Sequence, residues 1–312
     1  LTGETINPTR QFSFFGTTPT LGWVYKKECI MHTHFEEIAT RHFSPKLWRG
    51  FSSPLNLGPS GGSYNTPSGN PCFGFFDDFL TFNATTLVGP YANLLTAGCT
   101  AALAADTANE KGVLALAIDG NAANDEAVLK WGGTLSAPFK LGTTDLAFEC
   151  RLAVSAITAS KWSWAVGLGA ADMITTDLLF VDTTGALADK SFLGFNKLYA
   201  EAGGIDGAYK AAGQTYQNGA TKTKLDLLHT AVATTYVKLG FRYHANPRSL
   251  EWYVNGSVPG GNIAPARVTA TEIDAVTFPD DAFLAPIIGI KDIAGNAVLS
   301  ISLDWWACAQ YE

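Results

Sequence analysis

The sequence predicts an all-β protein: an antiparallel two-sheet sandwich carrying an extended N-terminal arm. Three observations predict it. Short apolar runs recur along the chain, and in the clearest, Tyr236–His244, the residues Val237, Leu239, Phe241 and Tyr243 alternate with Lys238, Gly240, Arg242 and His244, as one half-buried face of a pleat requires. The runs are separated by Gly, Asn, Asp and Pro rather than by helical periodicity, so there are no crossover helices and a parallel sheet is excluded. Composition agrees: 47% of the 312 residues are hydrophobic, 31 are Gly, and only 16% are charged, against roughly 25% for an average soluble chain. Two packed sheets suit so many strands better than a single barrel.

Taken in order, residues 1–30 differ from the rest. Lys26-Lys27-Glu28-Cys29-Ile30 before Met31 fits a translated ribosome-binding site, so the authentic start is expected at Met31, with 1–30 as translated upstream sequence or an arm. Phe35–Arg41 has the pattern of a short helix ended before Pro45. Ser52–Pro71 is dominated by Pro, Gly, Ser and Asn and reads as a linker with no packing of its own. Residues 31–73 are therefore an extended arm and linker, and 74–312 the sandwich. Within it strands are expected at Gly74–Phe82, Gly112–Ile118, Ala127–Trp131, Ala147–Val154, Ser163–Leu168, Leu178–Val181, Ser191–Phe195, Lys222–Leu228, Val237–His244, Ser249–Asn255, Ala285–Ile290 and Val298–Ala307. Ala101–Asn109 and Ala200–Lys210 have room for a helical turn or two. Asn246-Pro247 and Asn255-Gly256 carry turn chemistry, the second tolerating the positive φ of a tight hairpin. In the last strand Leu299, Ile301, Leu303 and Trp305 share one face, and Ser300, Ser302 and Asp304 the other. The expected core comprises Phe148, Leu152, Val237, Leu239, Phe241, Trp252, Leu299, Ile301 and Leu303.

The charge balance limits the function. A net charge of −7 and a pI near 5.2 argue against a nucleic-acid surface, which needs clustered Lys and Arg. No run reaches the ~20 apolar residues of a membrane helix, and the start lacks a secretory pattern. The five cysteines show no metal-ligand spacing, and Cys150 is expected as a buried reduced thiol. His32, His34 and His42 lack a carboxylate or cysteine placed to complete a metal site.

Catalytic patterns are sparse. Sandwich glycosidases of the laminarinase type carry Glu-x-Asp-x-x-Glu on one strand, and that motif is missing. Glu149 beside Arg151 reads as an outward surface ion pair. Asp77-Asp78 and Asp280-Asp281 read as turn or strand-edge carboxylates. No Gly-x-Ser-x-Gly elbow or phosphate loop is present, so no catalytic or cofactor-binding residue is assigned. A hard cation such as calcium finds a candidate oxygen set in Asp119, Asn121 and Asp125. Trp306, opposite in phase to Trp305, is a candidate for stacking on sugar or burial in an interface.

Several segments together carry a family resemblance. Phe148-Glu149-x-Arg151, Trp164–Leu168, Thr235–Tyr243, Trp252–Gly256, Phe278–Asp281 and the closing Leu303-Asp304-Trp305 resemble the laminin G-like or concanavalin A-like jelly rolls of tailed-phage and prophage structural proteins. Phe75–Phe79 is similar to their acidic aromatic opening. The resemblance covers roughly Gly74 to Glu312; the arm and Asp182–Gln217 have no counterpart in it. It implies a non-enzymatic virion protein, a capsid decoration or cement protein assembled in the bacterial cytoplasm, with no cofactor. Its partners would be the major capsid protein or other virion proteins, with many copies on a symmetric shell and no nucleic acid or membrane. Phe43, Leu47, Trp48 and Phe51 are the expected partner anchors, exposed on an arm that orders on its partner. The alternative is a glycan-binding, lectin-like module of a tail fibre or bacterial surface protein.

Overall fold

The structure is a computed structural model, described here over residues 43–51, 60–65, 71–79, 82, 90–104, 112–134, 136–158, 161–174, 180–181, 184–201, 204–214, 228–259, 267–295 and 298–312. The strands in chain order are β1 (Gly62–Asn65), β2 (Pro71–Asp77), β3 (Tyr91–Leu95), β4 (Thr100–Leu103), β5 (Leu114–Ile118), β6 (Glu126–Trp131), β7 (Phe139–Lys140) and β8 (Leu146–Val154). They continue with β9 (Trp162–Ala170), β10 (Phe192–Lys197), β11 (Gly204–Lys210), β12 (His229–Thr230), β13 (Val237–Ala245), β14 (Arg248–Val254) and β15 (Arg267–Val268). A single turn of helix, α1 (Ala270–Ile273), precedes β16 (Phe283–Asp292) and β17 (Leu299–Tyr311).

Two antiparallel sheets result. The first runs β1-β2-β17-β8-β13-β14-β15, with β5 joined to β17 and β4 to β5; the second runs β12-β11-β10-β9-β16-β6-β3, with β7 joined to β16. The expected sandwich is therefore the observed fold. Its core lies between the sheets, where Phe241 stacks on Phe148 at 5.1 Å and meets Trp252 edge-on at 5.7 Å. All nine residues expected in the core are buried. The Asn255-Gly256 turn is as its sequence requires: both residues have positive φ, and Val254 and Ser257 exchange backbone bonds at 2.8 and 3.0 Å.

Four expectations are corrected. Gly204–Lys210 is strand β11 rather than helix: Ile205 and Tyr209 point into the core, and at Gly207 between them a Cβ would stand 2.8 Å from the Trp252 ring. Trp305 does not share a face with Leu303. The register of β17 against β8 shifts between these residues, so Trp306 and Cys308 continue the inner core while Trp305, Ala307 and Ala309 turn outward. Residues 43–73 are not wholly an arm, because the compact unit runs from Phe43 to Glu312 and Gly62–Asn65 pairs with β2. Finally, Ala101 belongs to strand β4 rather than a helical turn. The expectations for Phe35–Arg41 and the three histidines 32, 34 and 42 lie outside the described residues, as do those for 178–179 and 222–227.

Candidate functional site

In an antiparallel sandwich the outer face of each sheet is open to become a site, so both faces decide what this one can do. On the first sheet the outward residues Phe76, Tyr253 and Trp305 are aromatic, and Phe43–Phe51 packs over them. That segment folds because Ser44 precedes Pro45 at the start of one helical turn, closed by Trp48 N–H to Ser44 O at 3.1 Å and ended at Gly50 with φ +92°. The turn puts Phe43, Leu47, Trp48 and Phe51 on one side, all buried, while Pro45, Lys46, Arg49 and Gly50 face out. The four residues expected to be free anchors are thus covered by their own sheet. The reason is apolar demand: the outward aromatics need a cover, and the nearest amphipathic segment supplies it.

Polar groups fix its register. Glu149, expected on the surface beside Arg151, is instead 1% exposed. Its Oε2 accepts from Ser44 N–H at 3.0 Å and Trp48 Nε1–H at 2.8 Å, and its Oε1 bonds the Ser44 hydroxyl. Burial pushes its carboxyl above the ordinary range, opposed by those donors. Arg242 donates to Leu47 O at 3.2 Å and Arg49 O at 2.5 Å. Beside it His244 stands between Asp145 and Glu251, at 3.5 and 3.7 Å. The two carboxylates push His244 up to about 9, and His244, with Tyr253 and Arg267, holds Glu251 down at about 2. Arg151 pairs with Asp304 rather than Glu149.

The second sheet is covered as well. Met173, Ile174, Phe180 and Leu187 pack on Val128, Ala165, Ala208 and Ile287. Under them Lys291 Nζ and Glu126 form a fully buried pair at 3.0 Å, Lys291 also donates to Phe180 O at 3.4 Å, and Ser163 Oγ donates to Gly185 O at 2.7 Å. Glu126 of the second sheet and Glu149 of the first are therefore sealed under different covers.

An opening lies at one end of the sandwich. A cavity of about 650 Å³ opens between the Leu141–Thr144 loop, Asp280-Asp281 and the end of β17, adjoining a second of about 380 Å³ beyond Asp280 and Asp281. Its frame is rigid: Gln310 bonds Lys140 on both backbone groups and the Thr144 hydroxyl, Tyr243 donates to Gly142 O at 2.8 Å, and Arg248 ties Asp280 to Asp274. Phe73 and Tyr311 provide ring surface; Lys140, Thr143 and Asp281 provide polar groups at its rim. Such a lining, with Asp280, Asp281 and Glu312 as its carboxylates, can hold hydroxyl-rich ligands.

Neither a protein-family model nor a curated protein sequence matches the chain. Solved structures are similar in fold. A protein of unknown function from Shewanella oneidensis MR-1 aligns at 16% identity over 80% of this chain and 90% of its own, with a TM-score of 0.48. An endo-1,3-beta-glucanase from Streptomyces sioyaensis aligns at 10% identity over 81% and 97%, with a TM-score of 0.48. Peanut lectin aligns at 10% over 77% and 97%, with a TM-score of 0.43. At these identities the likeness concerns fold alone.

The remaining expected residues fall as follows. Asp119 accepts from the backbone and side chain of Asn121, at 3.1 and 2.7 Å, and Asp125, buried, accepts from Ala122 N–H at 3.2 Å and the Thr96 hydroxyl at 3.3 Å. These oxygens serve the loop itself, and no group of three or more His, Cys, Asp or Glu among the described residues is arranged to hold a metal. Asp77 caps Phe79 N–H at 2.7 Å, as turn chemistry implies, and also takes the Tyr91 hydroxyl. Trp306 is fully buried rather than available for stacking. Cys150 is a buried free thiol, pushed up by burial. Sequence reasoning missed Lys140 and Gln310, which β7 and β17 bring to the end cavity, and Arg248 of β14, which holds the cavity's Asp280; no local pattern marks them.

Proposed function

We propose that this chain is a non-catalytic structural protein of a phage virion, a sandwich displayed on the particle and attached through residues N-terminal to Phe43. The observation that carries the non-catalytic part is the covering of the second sheet's outer face, and of the Phe76, Tyr253 and Trp305 part of the first, by the chain's own segments. A polysaccharide hydrolase needs an open face with two carboxylates about 5 to 9.5 Å apart. Here Glu126 and Glu149 are fully or nearly fully buried and already bonded. The virion part is supported by the sequence resemblance over Gly74–Glu312. The test is to purify the particles and locate the protein by electron microscopy, then delete residues 1–42 and repeat. Particles that carry the full chain but lose the truncated one support the proposal; absence of the full chain from particles overturns it.

A second reading is favoured by the end cavity. Asp281, Lys140 and Thr143 around the Phe73 and Tyr311 rings match what a glycan asks for, hydrogen-bonding groups beside an apolar ring face. A glycan array with the wild type and Asp281→Asn tests it. Retention of particular glycans by the wild type, lost in the variant, supports a lectin role; an array blank for both removes it.

A further inference from the structure

We infer that the outer face of the first sheet is a peptide-binding groove, and that the Phe43–Phe51 segment of a second copy of this chain can fill it in exchange for the groove's own segment. The groove reads its occupant at several independent points. Glu149 takes the Ser44 backbone, the Ser44 hydroxyl and the Trp48 indole. Arg242 takes the carbonyls of Leu47 and Arg49. Gly240 leaves room for Leu47, since a Cβ there would stand 2.4 Å from Leu47 Cδ1. Phe51 stacks on Tyr311 at 4.6 Å.

The core between the sheets closes without the segment; what the outer face needs is a cover, which any copy of the segment supplies. That core contains no residue of 43–51, and among the described residues the segment joins no β-ladder and its backbone–backbone bonds, Trp48 to Ser44 and Phe51 to Trp48, are internal. Segment and groove are thus a ligand and a receptor that happen to share one chain. Eight residues, 52–59, separate the segment from the next described residue, and a stretch of that length reaches up to roughly 27 Å. Identical contacts form whether the occupant comes from the same chain or a neighbour, so close packing of copies shifts the balance toward exchange through effective concentration. Only the sandwich and its own segment are required, whatever larger assembly the protein joins.

Two full-length variants with opposite defects test this. Trp48→Ala weakens the segment and leaves the groove intact; Glu149→Ala weakens the groove and leaves the segment intact. Alone, each is expected to run as a monomer by light scattering coupled to size exclusion. Mixed at equal high concentration, they are expected to give a heterodimer by native mass spectrometry, with the intact segment seated in the intact groove. Mixtures that remain monomeric while both variants keep native circular dichroism overturn the inference. Should either variant fail to fold, the wild-type full chain is titrated with a fluorescent synthetic peptide of residues 43–51. Saturable binding, at least tenfold weaker for a peptide in which Trp48 is Ala, supports the groove. No binding up to millimolar peptide, or equal binding of both peptides, overturns it.

Discussion

Replacing Glu149 separates the charge of the buried carboxyl from its hydrogen bonds. In Glu149→Ala, the Ser44 N–H and the Trp48 Nε1–H lose their acceptor in a site closed to water. Each buried donor left unmade costs about 1–3 kcal/mol, so the loss is about 2–6 kcal/mol, unless the segment undocks first and limits the loss to its own docking energy. Glutamine should behave differently. With its oxygen where Oε2 stands it accepts both N–H groups, and with its amide nitrogen where Oε1 stands it donates to the Ser44 hydroxyl. All the contacts persist, and the cost of burying a charge disappears. Burial raises this carboxyl above its unfolded value of 4.5, so its favourable contribution is full below 4.5 and is lost as pH rises through the raised value. Glu149→Gln should therefore gain on the wild type as pH rises from about 4.5 toward neutrality. Urea unfolding followed by tryptophan fluorescence from pH 4.5 to 8 reads both effects. A glutamine variant as unstable as the alanine variant at pH 7 would refute the reasoning, because it would mean the negative charge itself holds the segment.

Other perturbations have defined outcomes. Phe241→Ala removes a ring packed on Phe148 and Trp252 and should cost about 3–5 kcal/mol in chemical unfolding; a loss below 1 kcal/mol would contradict its central place in the core. Glu126→Ala strands Lys291 in a fully buried site and should cost about 3–5 kcal/mol, measured in the same way. His244 is raised from 6.5 to about 9 by Asp145 and Glu251, so its contribution is full below 6.5 and lost as pH rises through about 9; the alkaline loss of stability should shrink in His244→Gln, and an unchanged pH profile would remove the assignment. No turnover of β-glucans is expected, and reducing-sugar release abolished by Glu149→Gln would reverse that conclusion.

The strands were legible where alternation is local. Val237–His244 and Ser249–Asn255 read correctly because each alternating face has one fate, and the Asn255-Gly256 turn fixes the return of the chain. Ala200–Lys210 misread because alanine and glycine carry little periodic signal; its strand identity comes from packing against Trp252, far away in sequence. Glu149 misread for a different reason. A lone glutamate in an outward phase is ordinarily solvated, and only the arrival of Ser44 and Trp48, more than a hundred residues earlier, buries it. The end cavity was not legible, since its walls come from β2, β7, β17, the Leu141–Thr144 loop and the loop before β16.

One signal of the covers was nevertheless present in the strands. A sheet with water on one side should alternate apolar and polar residues, and β2, β16 and the second half of β17 do not: Phe75 and Phe76, Ile287 and Ile288, and Trp305 and Trp306 are adjacent buried pairs. Neighbouring residues on a strand point to opposite faces, so each pair requires apolar surroundings on both sides of its sheet. A two-layer sandwich supplies only one. The second must come from elsewhere, and it does, from Phe43–Phe51 over the first sheet and from Met173, Ile174, Phe180 and Leu187 over the second. Reading doubled apolar pairs as a demand for a third layer would have placed the 43–51 segment on the body rather than in a free arm. The same demand has a functional consequence: where these covers lie, the sheet face beneath them is closed to a ligand.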